Sequence, residues 1–188
     1  MLQSTIHKKD TIDLSSAPWT MHEFFAGSGL VAYGLKGMFA TVWANDISEQ
    51  KAAVYEANLG NDHFKLGDIK DVKGTELPFA HLSWASFPCQ DLSLAGSMGG
   101  IHAARSGLVW EWLRVLDEMT QKPKILLLEN VAGLLSTNNG DNYRVLHMAL
   151  VERDYDCGAI MLNASHFVPQ SRPRVFIIAV KHGETVPE

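Results

Sequence analysis

Between Thr20 and Val180 the chain alternates short apolar runs with stretches of helical periodicity, and this alternation constrains it more than any other feature. Thr20–Phe25, Ala40–Ala44, His81–Phe87, Ile125–Leu128, Cys157–Asn163 and Arg174–Val180 read as strands. Gly29–Met38, Ser48–Asn58, Ser106–Met119 and Tyr143–Glu152 read as helices, with Ser48 placed as an N-cap. Leu108, Trp112, Val115, Leu116 and Met119 fall on one helical face. Strands that alternate with helices predict an α/β fold, a mostly parallel sheet with helices on both faces. The expected organisation is a polar N-terminal extension over residues 1–18 and one domain over 19–188. No internal repeat, low-complexity tract or linker interrupts it.

Composition sets outer bounds. With 46% hydrophobic and 20% charged residues, the chain has enough apolar material for one core. No apolar run reaches the roughly 18 residues of a membrane span, and Met1 to Ser16 lacks a secretory hydrophobic stretch. Two cysteines, Cys89 and Cys157, cannot build a disulfide framework, so the expected setting is cytoplasmic and reducing. A net charge of −5 is wrong for gripping nucleic acid by bulk charge, so any DNA contact must be local or shared with another chain.

Four short motifs carry the chemistry. Phe24-Phe25-Ala26-Gly27-Ser28-Gly29-Leu30 sets two glycines at a strand-to-helix junction, where the backbone can approach an anionic or nucleotide ligand. Asp46 ends the next strand, placed to accept from ribose hydroxyls. With Ala32 the spelling also fits G-x-G-x-x-A, so this motif alone does not separate a nicotinamide cofactor from S-adenosylmethionine. Phe87-Pro88-Cys89-Gln90 places a cysteine at a strand's carboxyl end, where nucleophiles sit in open α/β sheets, although a lone cysteine is more often a small buried hydrophobe. Cys157 has no chemistry around it and takes that second reading. Leu128-Glu129-Asn130-Val131 puts a carboxylate just after an apolar strand, either as a proton-holding group or as a helix N-terminal acid. Gln170-Ser171-Arg172-Pro173-Arg174 brings two arginines on alternate positions, converging on one site or forming a solvated edge. A zinc deaminase is excluded, because position 92 is leucine and His22-Glu23 lacks the H-x-E spacing. The eight histidines are scattered, and no metal site is expected.

In this order, FAGSGL, Asp46, Gly67-Asp68-Ile69, FPCQ, Arg105–Leu108, LENV and QSRPR resemble the successive motifs of the DNA cytosine-5 methyltransferases, in wording closer to bacterial modification methylases. The resemblance implies a Rossmann-like, S-adenosylmethionine-dependent methyltransferase fold, with S-adenosylhomocysteine as product and double-stranded DNA as substrate. It implies that Cys89 attacks C6 of a flipped-out cytosine, that Glu129 holds N3 and the exocyclic amine, and that Arg174 with Arg172 positions the base. For the cofactor it implies the turn Phe25, Ala26, Gly27, Ser28, Gly29 and Leu30 at the methionine end, and Asp46 on the ribose. It further implies Ile47 against the adenine, Asp68 and Ile69 at its amino edge, and Pro88 and Leu108 on the methyl side. After Val180 only Lys181 to Glu188 follow, so the family's target-recognition region and closing G-N motif are not seen. The expectation is a subunit completed by a second polypeptide, or a catalytic fragment. The alternatives are a non-catalytic S-adenosylmethionine-binding or DNA-associated module and, resting on the first motif alone, a nicotinamide-dependent oxidoreductase.

Overall fold

The computed structural model describes residues 19–88 and 107–184. In chain order these form β1 (Trp19–Phe24), α1 (Leu30–Gly34), β2 (Phe39–Asp46), α2 (Glu49–Leu59), β3 (Phe64–Leu66), β4 (Leu82–Ala85), α3 (Leu108–Glu118), β5 (Ile125–Val131), α4 (Gly133–Ser136), α5 (Asp141–Val151), β6 (Tyr155–Asn163) and β7 (Pro173–Lys181). Two 3₁₀ turns, Ile69–Asp71 and Gly74–Glu76, lie between β3 and β4.

The strands make one seven-stranded sheet in the order β3-β2-β1-β4-β5-β7-β6. β1 to β5 pair in parallel, while β7 runs antiparallel to both β5 and β6. The expected mostly parallel α/β sheet is therefore present as a mixed one, with an antiparallel hairpin inserted at its far side. The strand order reverses beside β1, and ligands of open α/β sheets bind at the strand carboxyl ends near such a switch.

The larger core lies on the side covered by α3 and α5. There Trp112, Leu113, Val115 and Leu116 meet Leu126 and Leu128 of β5, Val175 and Ile177 of β7, and Leu146 and Leu150 of α5. Trp112 satisfies its ring N–H by donating to the Ser83 hydroxyl at 3.1 Å, as a buried indole requires. On the opposite side α1 and α2 cover the β1–β2–β3 end through Met21, Ala32, Ala44, Tyr55 and Leu59. Beyond β4 that same side is thinner: Ile125, Leu127, Phe176, Ile178 and Val180 are only half-buried.

Several expected boundaries move. The helix expected over Gly29–Met38 stops at Gly34, where the glycine-punctuated stretch to Gly37 leaves the helix. β3 was not expected; it is a three-residue edge strand with no run of apolar residues to announce it. β5 continues past Leu128, so Glu129 lies within the strand rather than just after it. The α2 expectation holds closely: Ser48 caps it, accepting from the Lys51 amide.

Candidate active site

The glycine turn leaves β1 with three left-handed residues, Phe25 at φ 57°, Gly27 at 58° and Gly29 at 82°. A phenylalanine in that region costs about 1–3 kcal/mol and persists only where surrounding contacts hold it. The turn is clamped from β2. Ala26 donates its amide to the Asn45 carbonyl at 2.9 Å, and Gly27 donates to Oδ2 of Asp46 at 2.8 Å. The other Asp46 oxygen accepts the Ser48 amide at 2.9 Å, tying the α2 cap to the same carboxylate. Each carboxylate oxygen keeps a further lone pair for a ligand hydroxyl.

Gly29 has no room for a side chain. A Cβ there would run into the Leu59 side chain and come within 2.8 Å of the Tyr55 ring, at a φ that disfavours L residues. Gly29→Ala is expected to destabilise the chain by about 2–5 kcal/mol, combining left-handed strain with overpacking. Chemical denaturation measures that loss.

Beside the turn lies a cleft of about 170 Å³. Phe25, Asp46, Ile47, Asp68, Ile69, Pro88 and Leu108, all expected at a cofactor, line it together. Ala26, Gly27, Ser28, Gly29 and Leu30 do not line it; they build the turn behind Phe25. Ile47 is strongly exposed, at 67%, which leaves apolar surface in the cleft for a flat ligand ring. Three further lining residues, Asn45, Lys51 and Ser86, carry no motif in the sequence, and Gly67 enters one only as the first residue of Gly67-Asp68-Ile69. A larger cleft of about 360 Å³ shares Asn45, Gly67 and Asp68, but it lacks Asp46 and the glycine turn. Size alone therefore points away from the motif residues, and the smaller cleft is the better candidate because the ligand-directed groups converge there.

The floor of the smaller cleft is held from a distance. Asn45 donates to the carbonyls of Lys65 and Gly67 at 2.8 and 2.9 Å, fixing the end of β3. Arg114 of α3 donates to the carbonyls of Ile69 and Val72 at 3.1 and 3.0 Å while paired with Glu111 and Glu118. Glu118 in turn accepts the Gly74 amide at 2.8 Å. Helix α3 thus sets the position of the Asp68–Ile69 segment.

At the carboxyl end of β5, Glu129 and Arg174 form an ion pair, Nε to Oε1 at 2.9 Å, each about one-fifth exposed. They come from adjacent antiparallel strands, Val131 lying opposite Arg174 in the register. The two arginines part company: Arg172 precedes β7, its side chain is exposed, and its amide donates to Asn163 at 2.8 Å. The alternate spacing leaves convergence or a solvated edge open; Arg174 turns to Glu129, whereas Arg172 lies ahead of the strand, which begins at Pro173. Next to Glu129, buried Asn130 donates to the Phe87 carbonyl at 2.9 Å. That bond ties the Glu129–Arg174 end of the sheet to the segment carrying Pro88. Cys89, the next residue, lies outside the described residues, as does Arg105. Cys157 is half-buried, its thiol 3.9 Å from the His147 carbonyl and pushed up by burial, which suits a packing role.

Residues 19–188 match the family described as C-5 cytosine-specific DNA methylase. The chain belongs to that family. Among similar curated proteins is the Type II methyltransferase M.Bsp6I of Bacillus sp. (strain RFL6), 34% identical over 165 residues, covering 85% of this chain and 51% of that protein. Another is the Type II methyltransferase M.HhaI of Haemophilus parahaemolyticus, 32% identical over 162 residues, covering 85% and 48%. This family member therefore spans about half the length of the curated relatives it matches. Among solved structures, the Dnmt2 methyltransferase of S. pombe superposes with a TM-score of 0.71 at 24% identity, over 90% of this chain and 53% of that one. At that identity the likeness speaks for the fold, which is the Rossmann-like fold of methyltransferases. No helix among the described residues is long and apolar enough to cross a membrane.

Proposed function

We propose that this chain carries the cofactor site and the reacting groups of a DNA cytosine-5 methyltransferase, and that target recognition comes from a second polypeptide or from the remainder of a longer protein of which this is the catalytic fragment. The observation that supports the reading is the Asn130–Phe87 bond, which ties the strand end that carries Glu129 to the segment leading into Pro88. Asp46 takes the ribose hydroxyls, Ile47 lies on the adenine, and Asp68 with Ile69 meets its amino edge. Pro88 and Leu108 border the methyl side. S-adenosylmethionine, when bound, supplies an activated methyl group.

The residues of the chain do the rest. A cytosine is flipped from the duplex at a cost of a few kcal/mol. Its C6 is a poor electrophile, so two groups act together. The Cys89 thiolate adds to C6 while Glu129 hydrogen-bonds N3 and the exocyclic amine, drawing electron density from the ring. C5 thereby becomes nucleophilic and takes the methyl group; loss of the C5 proton then expels the thiolate and restores the ring. Arg174 orients Glu129 and the base, and offsets charge in the pocket. Arg172, exposed ahead of β7, is left to contact phosphate.

Among the described residues one sheet face is left partly uncovered, which supports a further covering segment or chain. The half-buried row Ile125, Leu127, Phe176, Ile178 and Val180 continues into exposed Ile160 and Leu162 of β6, on the side where Glu129 and Arg174 sit. Sheets with parallel strands are ordinarily covered on both faces. The net charge of −5 also opposes retention on a polyanion without a basic partner.

A methyl-transfer assay with tritiated S-adenosylmethionine tests the reading. The chain alone is expected to give no sequence-specific labelling, and co-expression with a polypeptide spanning the rest of a relative's length is expected to restore it. Specific labelling by the chain alone would refute the need for a partner. Tighter binding of NAD than of S-adenosylhomocysteine in calorimetric titration would refute the cofactor.

A further inference from the structure

One buried acid takes no part in the chemistry above. Glu23 of β1 is 1% exposed and lies on the side facing α1 and α2. Among the described residues no cation pairs with it, and its Oε1 closes no hydrogen bond of good geometry. The Tyr55 hydroxyl of α2 lies 3.5 Å from its Oε2 and 3.1 Å from Nε2 of His63. The amides of Val31 and Ala32, in the first turn of α1, also face the carboxyl. That turn of helix follows directly on the glycine turn.

The titratable groups facing Glu23 are Tyr55 from α2, Asp46 from β2 and, beyond Tyr55, His63; α1 offers only backbone amides and β4 sets Trp84 alongside. Burial pushes Glu23 up to about 8, and the Asp46 carboxylate adds to it, against the pull of the amides and the Tyr55 hydroxyl. Burial pushes His63 down, against the raising effect of Asp62. The Tyr55 hydroxyl donates to Oε2 of Glu23 and also lies against Nε2 of His63, so it bridges the two.

We propose that Glu23 is a positioning residue for the cofactor turn, seating the start of α1 from its buried place against the amides of Val31 and Ala32, so that a charge formed there loosens the turn. A charge formed there would sit beside Asp46, the carboxylate that clamps Gly27. The inference rests on the reading that this turn holds S-adenosylmethionine.

The test compares the chain with Glu23→Gln, which keeps the shape of the neutral acid and cannot ionise. S-adenosylhomocysteine affinity is measured by calorimetry from pH 6.5 to 9.5. Wild-type affinity is expected to fall on the order of tenfold above pH 8, and that of Glu23→Gln to stay within about twofold of the neutral value. Denaturation gives a ligand-free check with its own sign. The folded chain keeps the proton to about pH 8, whereas the unfolded chain releases it near the ordinary value of 4.5. Wild type should therefore lose stability relative to Glu23→Gln as pH rises through that window, then level off. Identical pH profiles for the two proteins overturn the proposal. So does a carbon-13 carboxyl resonance of Glu23, read on wild type alone, that titrates below pH 6. Absence of S-adenosylhomocysteine binding at every pH overturns the cofactor reading instead, and the denaturation profiles still decide whether Glu23 holds the proton.

Discussion

Cys89→Ala is expected to abolish methyl transfer by the complete enzyme, a fall on the order of 10⁴ or more, while S-adenosylhomocysteine affinity stays within about twofold. Without a covalent bond at C6, nothing makes C5 nucleophilic enough to accept the methyl group. Cofactor binding is spared because Asp46 and the Asp68–Ile69 segment, the polar groups assigned to it, are held by contacts from the glycine turn after β1, the α2 cap and α3. A free thiol near its usual pKa of about 8.5 is only a few per cent ionised at neutral pH, so rate should climb with pH until the thiolate is fully formed. Cys157→Ala serves as control: its half-buried thiol packs against the His147 carbonyl, and turnover should stay within about twofold of wild type. Single-turnover transfer to a duplex carrying the target site reads all three proteins.

Glu129→Gln is the second large effect. A glutamine keeps the shape and can still accept from the exocyclic amine, but it cannot present a carboxyl to N3 or balance the Arg174 charge 2.9 Å away. Loss of an acid–base and hydrogen-bonding group of this kind costs about 10²–10⁴ in the chemical step. Arg174→Lys should fall in the same direction, because an ammonium cannot reproduce the planar fork of the guanidinium. The two substitutions should be strongly non-additive, since each removes the partner that orients the other. Binding of S-adenosylhomocysteine by either variant, measured on the chain alone, should be unchanged. A fall in cofactor affinity that tracked the fall in rate would place the pair at the cofactor and not at the base.

What could be read from the sequence was the local part of this arrangement. The glycine turn, Asp46 at the end of β2 and the Ser48 cap depend on residues close together in the chain, and their chemistry shows in their spelling. The end of β5 was misjudged because Glu129 and Asn130 look like the close of an apolar run. Pairing with β7 carries the strand on to Val131, and alternation sends Asn130 inward and Glu129 outward. Arg172 and Arg174 alternate in the sequence, yet the strand starts between them, which leaves Arg172 exposed and sets Arg174 against Glu129. The supports of the site were invisible for a different reason. Asn130 on the Phe87 carbonyl, Arg114 on the Ile69 and Val72 carbonyls, and Tyr55 against Glu23 each join residues more than thirty positions apart. Each is a side chain of common type whose partner only the folded sheet brings near. The edge strand β3 has three residues and little burial, too short for any periodicity to mark it.

The most direct test of the chemistry is covalent trapping. Duplex DNA with 5-fluorocytosine at the target position lacks the C5 proton whose loss would release the enzyme, so the adduct persists. The complete enzyme and S-adenosylmethionine would be incubated with this duplex, denatured, and the linked peptide mapped by mass spectrometry. The expected result is a denaturation-resistant adduct on the peptide containing Cys89, retained in Cys157→Ala and absent in Cys89→Ala. An adduct that survives Cys89→Ala, or one mapped to Cys157, would contradict the role given to Cys89.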